Sequence, residues 1–254
     1  MATQIKNVKS EVKSLRRSVL SDETYEIIRA MILNHDIAPG ERINIDGLAA
    51  RLGVSQTPIR EALARLESDG LIAKEALKGY STTKLLTVRQ LNDLFQFRSL
   101  IEPWAAEQSA RLIDAVGIAA LKAELQSGKT ALKLKDSEQV QAFIEHDARF
   151  HSLIARISGS ESVTDAFERT HCHLHLFRLF IASQNQLVDA APKGETATYQ
   201  SGPGSTTMKE HDAISKAIIE GDSKGARAAM LAHIQTSLGR FAPGAEALNA
   251  ALDA

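Results

Sequence analysis

The chain has little cysteine and no long apolar run, and each scarcity excludes a class of protein. Cys172 is the only cysteine in 254 residues, so no disulfide can form within the chain, as expected in a reducing cytoplasm. No apolar segment is long enough to span a bilayer, and the N-terminus lacks the apolar stretch of a secretion signal. The sequence therefore predicts a cytoplasmic protein that has no membrane partner.

The net charge is also small, at -1, but the charge is unevenly distributed. Residues 1–20 contain one acidic residue, Glu11, and five cations: Lys6, Lys9, Lys13, Arg16 and Arg17. Such a basic N-terminal arm is compatible with DNA binding and equally with a solvated, poorly ordered tail. A length of 254 residues is enough for two domains and a sizeable core.

Residues 21–85 have the pattern of a small DNA-binding domain. Ser21 is an N-cap candidate for a helix over residues 21–34, and two further helices are predicted at about 45–52 and 55–68, on either side of Gly53. The β-prone stretches LIAKE and YSTTKLL then predict a hairpin. Two helices at a tight turn followed by a hairpin form a winged helix-turn-helix.

The rest of the chain is almost entirely helical in pattern, which makes the predicted fold class mainly α. Helices are expected at about 88–112, 116–134, 136–158, 161–182, 206–220 and 222–240. The Gly, Pro, Ser and Thr content of residues 184–205 indicates a long loop, either a lid or an insertion. The predicted divisions are a basic arm (1–20), the winged domain (21–85), an all-α helical bundle (86–242) and a C-terminal tail (243–254).

One carboxylate and three imidazoles have a spacing that can bring them together. Asp147 and His151 stand at i and i+4, so a helix places them on one face. His211 precedes Gly221 by ten residues and His233 follows it by twelve. If the helices before and after Gly221 pack antiparallel, each histidine lies about 15 to 18 Å along its helix from the turn. The two histidines are then side by side.

Three nitrogens and one oxygen suit a divalent transition metal, with Zn first and Ni, Mn or Fe as alternatives. Taken singly, each histidine is better explained as a surface or core residue. His171 and His175 share a helix face, so they either line a cavity, supply another metal contact or pack in the core or an interface. His146 is expected to point away from the Asp147 face and not to be a ligand.

The residues also carry a family resemblance. The run IAPGERINIDGLAARLGVSQTPIREALARLESDGLI resembles the DNA-binding domain of the GntR family of bacterial transcription regulators. The second domain is similar to the FadR-type effector domain called FCD, with its Asp-x-x-x-His pair and two histidines 22 residues apart, matched by Asp147, His151, His211 and His233. The resemblance implies a homodimer that binds a palindromic operator in double-stranded DNA. It also implies a metal-floored cavity for small carboxylates or sugar acids.

The resemblance assigns DNA contacts residue by residue. At the start of the second helix of the motif, side chains that reach phosphates and base edges are expected from Ser55, Gln56, Thr57 and Arg60. Arg60 is the base-reading candidate, because a guanidinium binds both acceptors of guanine. Gln56 departs from the family's usual arginine, which implies a lost cationic contact or a shift toward adenine. Lys78 and Gly79 occupy the wing tip.

In the second domain, Arg98 matches an arginine that faces the FCD cavity, where it would clamp a ligand carboxylate. The alternative is an intrahelical pair with Glu102 at i+4. The predicted function is a ligand-responsive transcription regulator that is not an enzyme and has no catalytic residue. Two competitors stay open: a sensor of the metal itself, and a metalloenzyme in which Glu145 helps an open metal position activate water.

Overall fold

The computed structural model describes residues 19–190 and 203–252. The chain divides into two units, with the boundary between Leu85 and Leu86. Helices dominate, and the strands of the described residues form one two-stranded sheet, which confirms a mainly α fold class. Within the described residues, no helix is both long and apolar enough to cross a membrane. Most of the predicted basic arm, residues 1–18, lies outside the described residues.

The first unit is the winged helix-turn-helix that the sequence predicts. Helix α1 covers residues 19–33, and the elements that follow are α2 (Ile45–Leu52), α3 (Gln56–Ser68), β1 (Ile72–Glu75) and β2 (Gly79–Thr82). The strands pair antiparallel with Ile72 opposite Thr82 and Glu75 opposite Gly79, which makes the hairpin of the wing.

Local sequence explains the turn between α2 and α3. The Asn44 side chain accepts a hydrogen bond from Gly47 N and caps the start of α2. Gly53 ends α2 at a φ of 68°, a left-handed conformation that glycine adopts without a Cβ penalty. Ile59 and Leu63 of α3 are fully buried with Ile32 of α1, so one face of α3 is held in the core and the opposite face is exposed.

The second unit is a bundle of helices. Thr87 starts it through a capping box with Gln90. Its elements are α4 (Val88–Leu112), α5 (Ala115–Ala131), α6 (Asp136–Ile157), α7 (Glu161–Glu168), α8 (Cys172–Ala190), α9 (Pro203–Ile219) and α10 (Ser223–Leu252). Helix α10 packs along α4, α8 and α9, while α6 packs on α4, α5 and α8. The predicted turn at Gly221 is present, with a φ of 73° between α9 and α10.

Three predicted boundaries in this unit were wrong. The single helix expected at 161–182 is broken between α7 and α8, where His171 has a φ of 45° that no helix can include. The expected loop at 184–205 is helical at both ends, to Ala190 and again from Pro203, and residues 191–202 lie outside the described residues. The expected tail from residue 243 instead continues α10 through Pro243 to Leu252.

Gly128 is the point at which α5 comes closest to its neighbours. A Cβ atom built there would lie 2.6 Å from His146 Nε2 on α6 and 2.6 Å from Met208 Sδ on α9. Real Cβ atoms do not approach other atoms that closely, so the absence of a side chain at Gly128 allows His146 to lie between the helices.

We expect Gly128→Ala to lower the free energy of unfolding by about 1 to 3 kcal/mol, since the added methyl group overpacks the core. This loss should appear although alanine favours helix by about 1 kcal/mol over glycine. Urea unfolding measures it. Gly239→Ala on α10 is the control, because nothing lies within 4 Å of its Cβ position, and it should stabilise the protein. Equal stability of Gly128→Ala and wild type would contradict the close approach.

Candidate metal centre and nucleic-acid interface

Three helices bring the four predicted metal ligands together. Asp147 and His151 lie on α6, His211 on α9 and His233 on α10, and one ligand atom of each lies within 4.8 Å of the others. The Nε2 atoms of His151 and His233 are 3.2 Å apart. Asp147 Oδ1 lies 3.3 Å from His211 Nε2 and 3.8 Å from His151 Nε2.

These separations fit a metal ion at the centre. Bonds of about 2.0 to 2.2 Å place tetrahedral ligand atoms roughly 3.4 Å from one another. The three histidines are almost completely buried, with exposed fractions of 0 to 2%. His211 Nε2 is buried and its contact with Asp147 lies outside hydrogen-bond geometry. A buried nitrogen that faces a carboxylate and two further imidazoles without a hydrogen bond is suited to coordinate a cation.

Arg98 and Glu102 orient His151. His151 Nδ1 donates to Glu102 Oε2 at 2.5 Å, because an ionised carboxylate only accepts. Arg98 Nε donates to Glu102 Oε1 at 2.5 Å, and both charged side chains are buried. Burial by itself raises the pKa of Glu102, but the charge of Arg98 and the hydrogen bonds from Arg98 and His151 outweigh it and lower the pKa far below its ordinary value. With Nδ1 donating, neutral His151 turns its Nε2 lone pair to the centre.

A second arginine and glutamate orient His233 in the same way. His233 Nδ1 donates to Glu210 Oε2 at 2.7 Å. Arg240 donates to both oxygens of Glu210, at 3.1 and 2.9 Å, and also to Ser237 Oγ at 2.7 Å. The carboxylate is therefore charge-balanced while it holds the imidazole.

His211 and Asp147 are held by other histidines. His211 Nδ1 lies 3.0 Å from His146 Nε2, and His146 Nδ1 lies 2.9 Å from Glu124 Oε1. His173 Nδ1 donates to Asp147 Oδ2 at 2.7 Å, which leaves Oδ1 directed at the three ligating nitrogens. Each of the four side chains thus has its outer polar atom engaged and its inner atom directed at the centre of the cluster.

The ionisation states favour coordination near neutral pH. Burial, opposed in part by Glu102, lowers the pKa of His151 to about 4. Burial also lowers the pKa of His211 well below its ordinary value. Burial by itself raises the pKa of Asp147, but the nearby charge of His173 outweighs it and holds the pKa well below normal. Neutral imidazoles and an ionised carboxylate are the forms that bind metals.

A cavity of about 70 Å³ opens beside this cluster. Asp147 and His173 lie at the end nearest the cluster. One helical turn from the clustered residues, α6 and α8 contribute mostly apolar side chains to the wall, while α9 and α10 contribute the hydroxyl groups of Thr207 and Ser237. The remaining lining residues are Phe143, Ile144, Leu176, Phe177, Phe180, Arg240 and Phe241. Arg98 is not among the described residues that line this cavity.

In the first unit, the exposed residues at the start of α3 form a cluster of polar side chains. Ser55 is the N-cap of α3, and its side chain makes no capping hydrogen bond. Gln56 Nε2 donates to Asp46, and Arg60 Nη2 donates to Gln56 Oε1 at 3.4 Å. Gln56, Thr57 and Arg60 are all exposed. These side chains are free of the core and can reach a nucleic acid.

The wing tip carries the other two predicted contacts. Lys78 is exposed and pairs with Glu75 at 2.7 Å, and Gly79 starts β2 at a φ of 84°. Leu77, in the turn between the strands, is fully exposed at a φ of 65°. The sequence pattern did not indicate that Leu77 would be an exposed apolar side chain at the wing tip.

Two known domain families account for both units. The pattern of the FCD domain matches residues 93–236, and that of the gntR family of bacterial regulatory proteins matches residues 20–82. The chain belongs to the GntR family and carries an FCD domain. The family and the relatives of this chain are transcription regulators.

Individual relatives of this GntR-family chain support the same assignment. YdhC, an HTH-type transcriptional regulator of Bacillus subtilis, is 26% identical over 211 residues, which cover 82% of this chain and 85% of YdhC. The HTH-type transcriptional repressor RspR of Escherichia coli is 29% identical over 149 residues, 59% of this chain and 64% of RspR. The solved structure of Escherichia coli McbR/YncC has the same fold, with a TM-score of 0.61 at 19% identity, over 87% of this chain and 96% of that one.

Sequence reasoning missed the residues that hold the ligands of the FCD domain. Arg98, predicted as a carboxylate clamp, is 1% exposed and its charge is balanced by Glu102, as in the intrahelical alternative.

Of the histidines near residue 173, His173 contacts Asp147, whereas His171 and His175 are not part of the described cluster. His146, which was expected to point away from the Asp147 face, is not one of the four clustered residues but contacts His211 directly. Only the i+4 spacing of Arg98 and Glu102 was a signal in the sequence.

We expect wild-type protein to carry one transition metal per subunit, measured by elemental analysis after dialysis. The double variant His211→Ala/His233→Ala should lose it, because two ligands hold an ion less firmly than four. Chelation should also lower the thermal midpoint, since bound metal stabilises the native state by about 2.7 kcal/mol at 100 times its Kd. His175→Ala is the control and should keep its metal. Full occupancy in the double variant would refute the assignment.

Proposed function

We propose that this GntR-family protein is a ligand-responsive transcription regulator whose FCD domain binds a divalent metal and a small organic acid. The observation that carries the proposal is the convergence of Asp147, His151, His211 and His233 beside a cavity. This site belongs to a chain that also has a winged helix-turn-helix. A regulator of this kind acts on chromosomal DNA, and therefore in the cytoplasm.

The four side chains would hold Zn, with Ni, Mn or Fe as alternatives, because three imidazoles and one carboxylate suit these borderline metals. When bound, the ion supplies a Lewis-acidic anchor for an exogenous oxygen. The contribution of the protein is to present dry, neutral imidazoles in one orientation, which the Arg98–Glu102 and Arg240–Glu210 pairs maintain. Preorganised ligands of this kind favour tight and selective binding.

The effector is proposed to be a small carboxylate with its acid group at the metal end of the cavity. Asp147 lies at that end, and the apolar wall one turn away suits a short apolar body better than a chain of hydroxyl groups. Arg240 is the arginine among the described residues that line the cavity, while Arg98 acts through Glu102 on His151. The assignment of the carboxylate clamp therefore moves from Arg98 to the metal itself.

Calorimetry should detect binding of a short carboxylic acid, isobutyrate for example, to the metal-loaded protein. Removal of the metal should weaken this binding at least tenfold, or about 1.4 kcal/mol, because the charged group loses its anchor. The matched alcohol, isobutanol, lacks the carboxylate and should bind to neither form. Sugar acids complete the panel. An acid that binds equally well with and without metal would show that the metal is purely structural.

We propose that the protein binds a palindromic operator as a homodimer. Two-fold symmetry of the protein is mirrored in the DNA of such regulators. Leu100 and Trp104, which lie one turn apart on α4, are 70% and 37% exposed and support a dimer contact on that face of the FCD domain. The cluster of polar side chains at the start of α3 would enter the major groove.

Arg60→Ala should weaken the specific site by about 1 to 3 kcal/mol and relax discrimination at one base position, because a guanidinium reads guanine through two hydrogen bonds. Competition binding against operators with single base changes measures both effects. Arg51→Ala on α2 provides an exposed cationic control that should shift affinity evenly across sequences. Equal losses on specific and random DNA would show that Arg60 contacts phosphate alone.

Gln56→Arg tests the departure from the usual family residue. One more cation releases more counterions, so affinity should become more salt-dependent by up to about one unit of slope. Asp46 receives a hydrogen bond from Gln56 and would pair with the new arginine, so Gln56→Arg/Asp46→Asn should show the larger increase. An unchanged salt slope in both variants would exclude a phosphate near position 56.

A regulator that senses the metal itself is the second candidate, favoured by the burial of all three histidine ligands. It predicts that metal alone changes DNA affinity and that organic acids have no further effect. We propose no enzymatic activity. Glu145, the candidate for activating water, is 41% exposed and hydrogen-bonded with Gln141, outside the four-residue cluster.

A further inference from the structure

His211 is held differently from the other two ligating histidines. His151 and His233 each donate Nδ1–H directly to a carboxylate. The Nδ1 atom of His211 faces a second imidazole instead, with His146 Nε2 at 3.0 Å. An imidazole nitrogen can be a donor or an acceptor, so this contact by itself does not determine which nitrogen of His211 carries the proton.

The contact made by the other ring nitrogen of His146 indicates which nitrogen of His211 carries the proton. His146 Nδ1 lies 2.9 Å from Glu124 Oε1. Arg149 donates to both carboxylate oxygens of Glu124, at 3.0 and 3.1 Å, in a charged pair. An ionised carboxylate only accepts, so Nδ1 of His146 carries a proton. In neutral His146, Nε2 is then an acceptor, and the hydrogen between the rings must come from His211 Nδ1.

We propose that Glu124 and His146 are positioning residues that set the tautomer of His211 and thereby point its Nε2 lone pair at the metal. The inference rests on the proposed metal centre for its function, whereas the tautomer itself is a property of the protein alone. The relay Glu124–His146–His211 places the carboxylate one imidazole farther from the ion than Glu102 and Glu210 are from His151 and His233.

Two further observations support the relay. His211 Nε2 is buried, and its 3.3 Å contact with Asp147 Oδ1 lacks the geometry of a hydrogen bond, which is costly for a buried N–H donor but suited to a ligand lone pair. His146 is completely buried between α5 and α9, and a Cβ atom at Gly128 would lie 2.6 Å from its Nε2. The fold therefore holds the ring in one position, at hydrogen-bond distance from both partners.

The experiment compares two replacements of His146. In His146→Gln the amide oxygen can accept from His211 Nδ1–H and the amide nitrogen can donate to Glu124, so the polarity of the relay is kept. His146→Leu has similar bulk and no polar atom. We expect Zn²⁺ affinity, measured by competition with a chelator, to fall about 10- to 100-fold in His146→Leu. In His146→Gln it should recover most of that loss.

The tautomer is measured directly by long-range ¹H–¹⁵N correlation spectra of ¹⁵N-histidine-labelled protein, with and without Zn²⁺. The expected result is a protonated Nδ1 and an unprotonated Nε2 on His211 in both states of the wild type. His175→Leu, on α8 and outside the cluster, is the control and should leave affinity and the His211 signals unchanged. Urea unfolding of the metal-free variants separates a loss of fold from a loss of affinity.

Each outcome decides the inference. A proton on Nε2 of His211 in the wild type overturns it, since His146 would then be the donor. Zn²⁺ affinity in a folded His146→Leu variant equal to that of wild type also overturns it. If wild type binds no metal at all, the proposed metal centre fails, and the spectrum of the metal-free protein still decides whether Glu124 and His146 set the tautomer.

Discussion

The close approach of three imidazole nitrogens and one carboxylate oxygen is the constraint on which the rest of the FCD domain depends. Nitrogen atoms that lie 3.2 Å apart as two acceptors repel each other unless a cation or a proton lies between them. The protein maintains this arrangement by binding the outer nitrogen of each ring. Carboxylates hold two rings, and a further histidine holds the third. Buried charge is thus concentrated around the site and balanced pairwise.

Each glutamate that contacts a histidine around the site is paired with an arginine. Glu102 pairs with Arg98, Glu210 with Arg240 and Glu124 with Arg149. Glu102 is buried, and burial by itself raises its pKa. The charge of Arg98 opposes this shift and keeps the carboxylate ionised, so that it can hold His151. This explains why an arginine that looks like a ligand clamp from the sequence is used inside the protein instead.

Helix geometry connects this chemistry with the cavity. Helices α9 and α10 fold back about Gly221, so residues one turn from His211 and His233 form the polar part of the cavity wall. On α6 and α8 the corresponding turns supply apolar side chains. The same helix register that assembles the four-residue cluster therefore shapes the space beside it, and a molecule bound there would contact the helices that carry the cluster.

Spacing along the chain indicated the winged domain, most helices and the four residues of the cluster, because i+4 pairs and a turn midway between two histidines are local properties. The resemblance to the FCD domain, and not spacing alone, supported their assignment as metal ligands. The break at His171 and the extension of α10 past Pro243 depend on backbone conformations and helix packing that periodicity does not encode. Only tertiary structure decided that Arg98 faces Glu102, that His173 reaches Asp147 and that His146 lies beside Gly128. The contacts of His173 and His146 join separate helices, which the local sequence does not determine. Arg98 had two possible partners, a ligand or Glu102, and it pairs with Glu102 because both charges are buried.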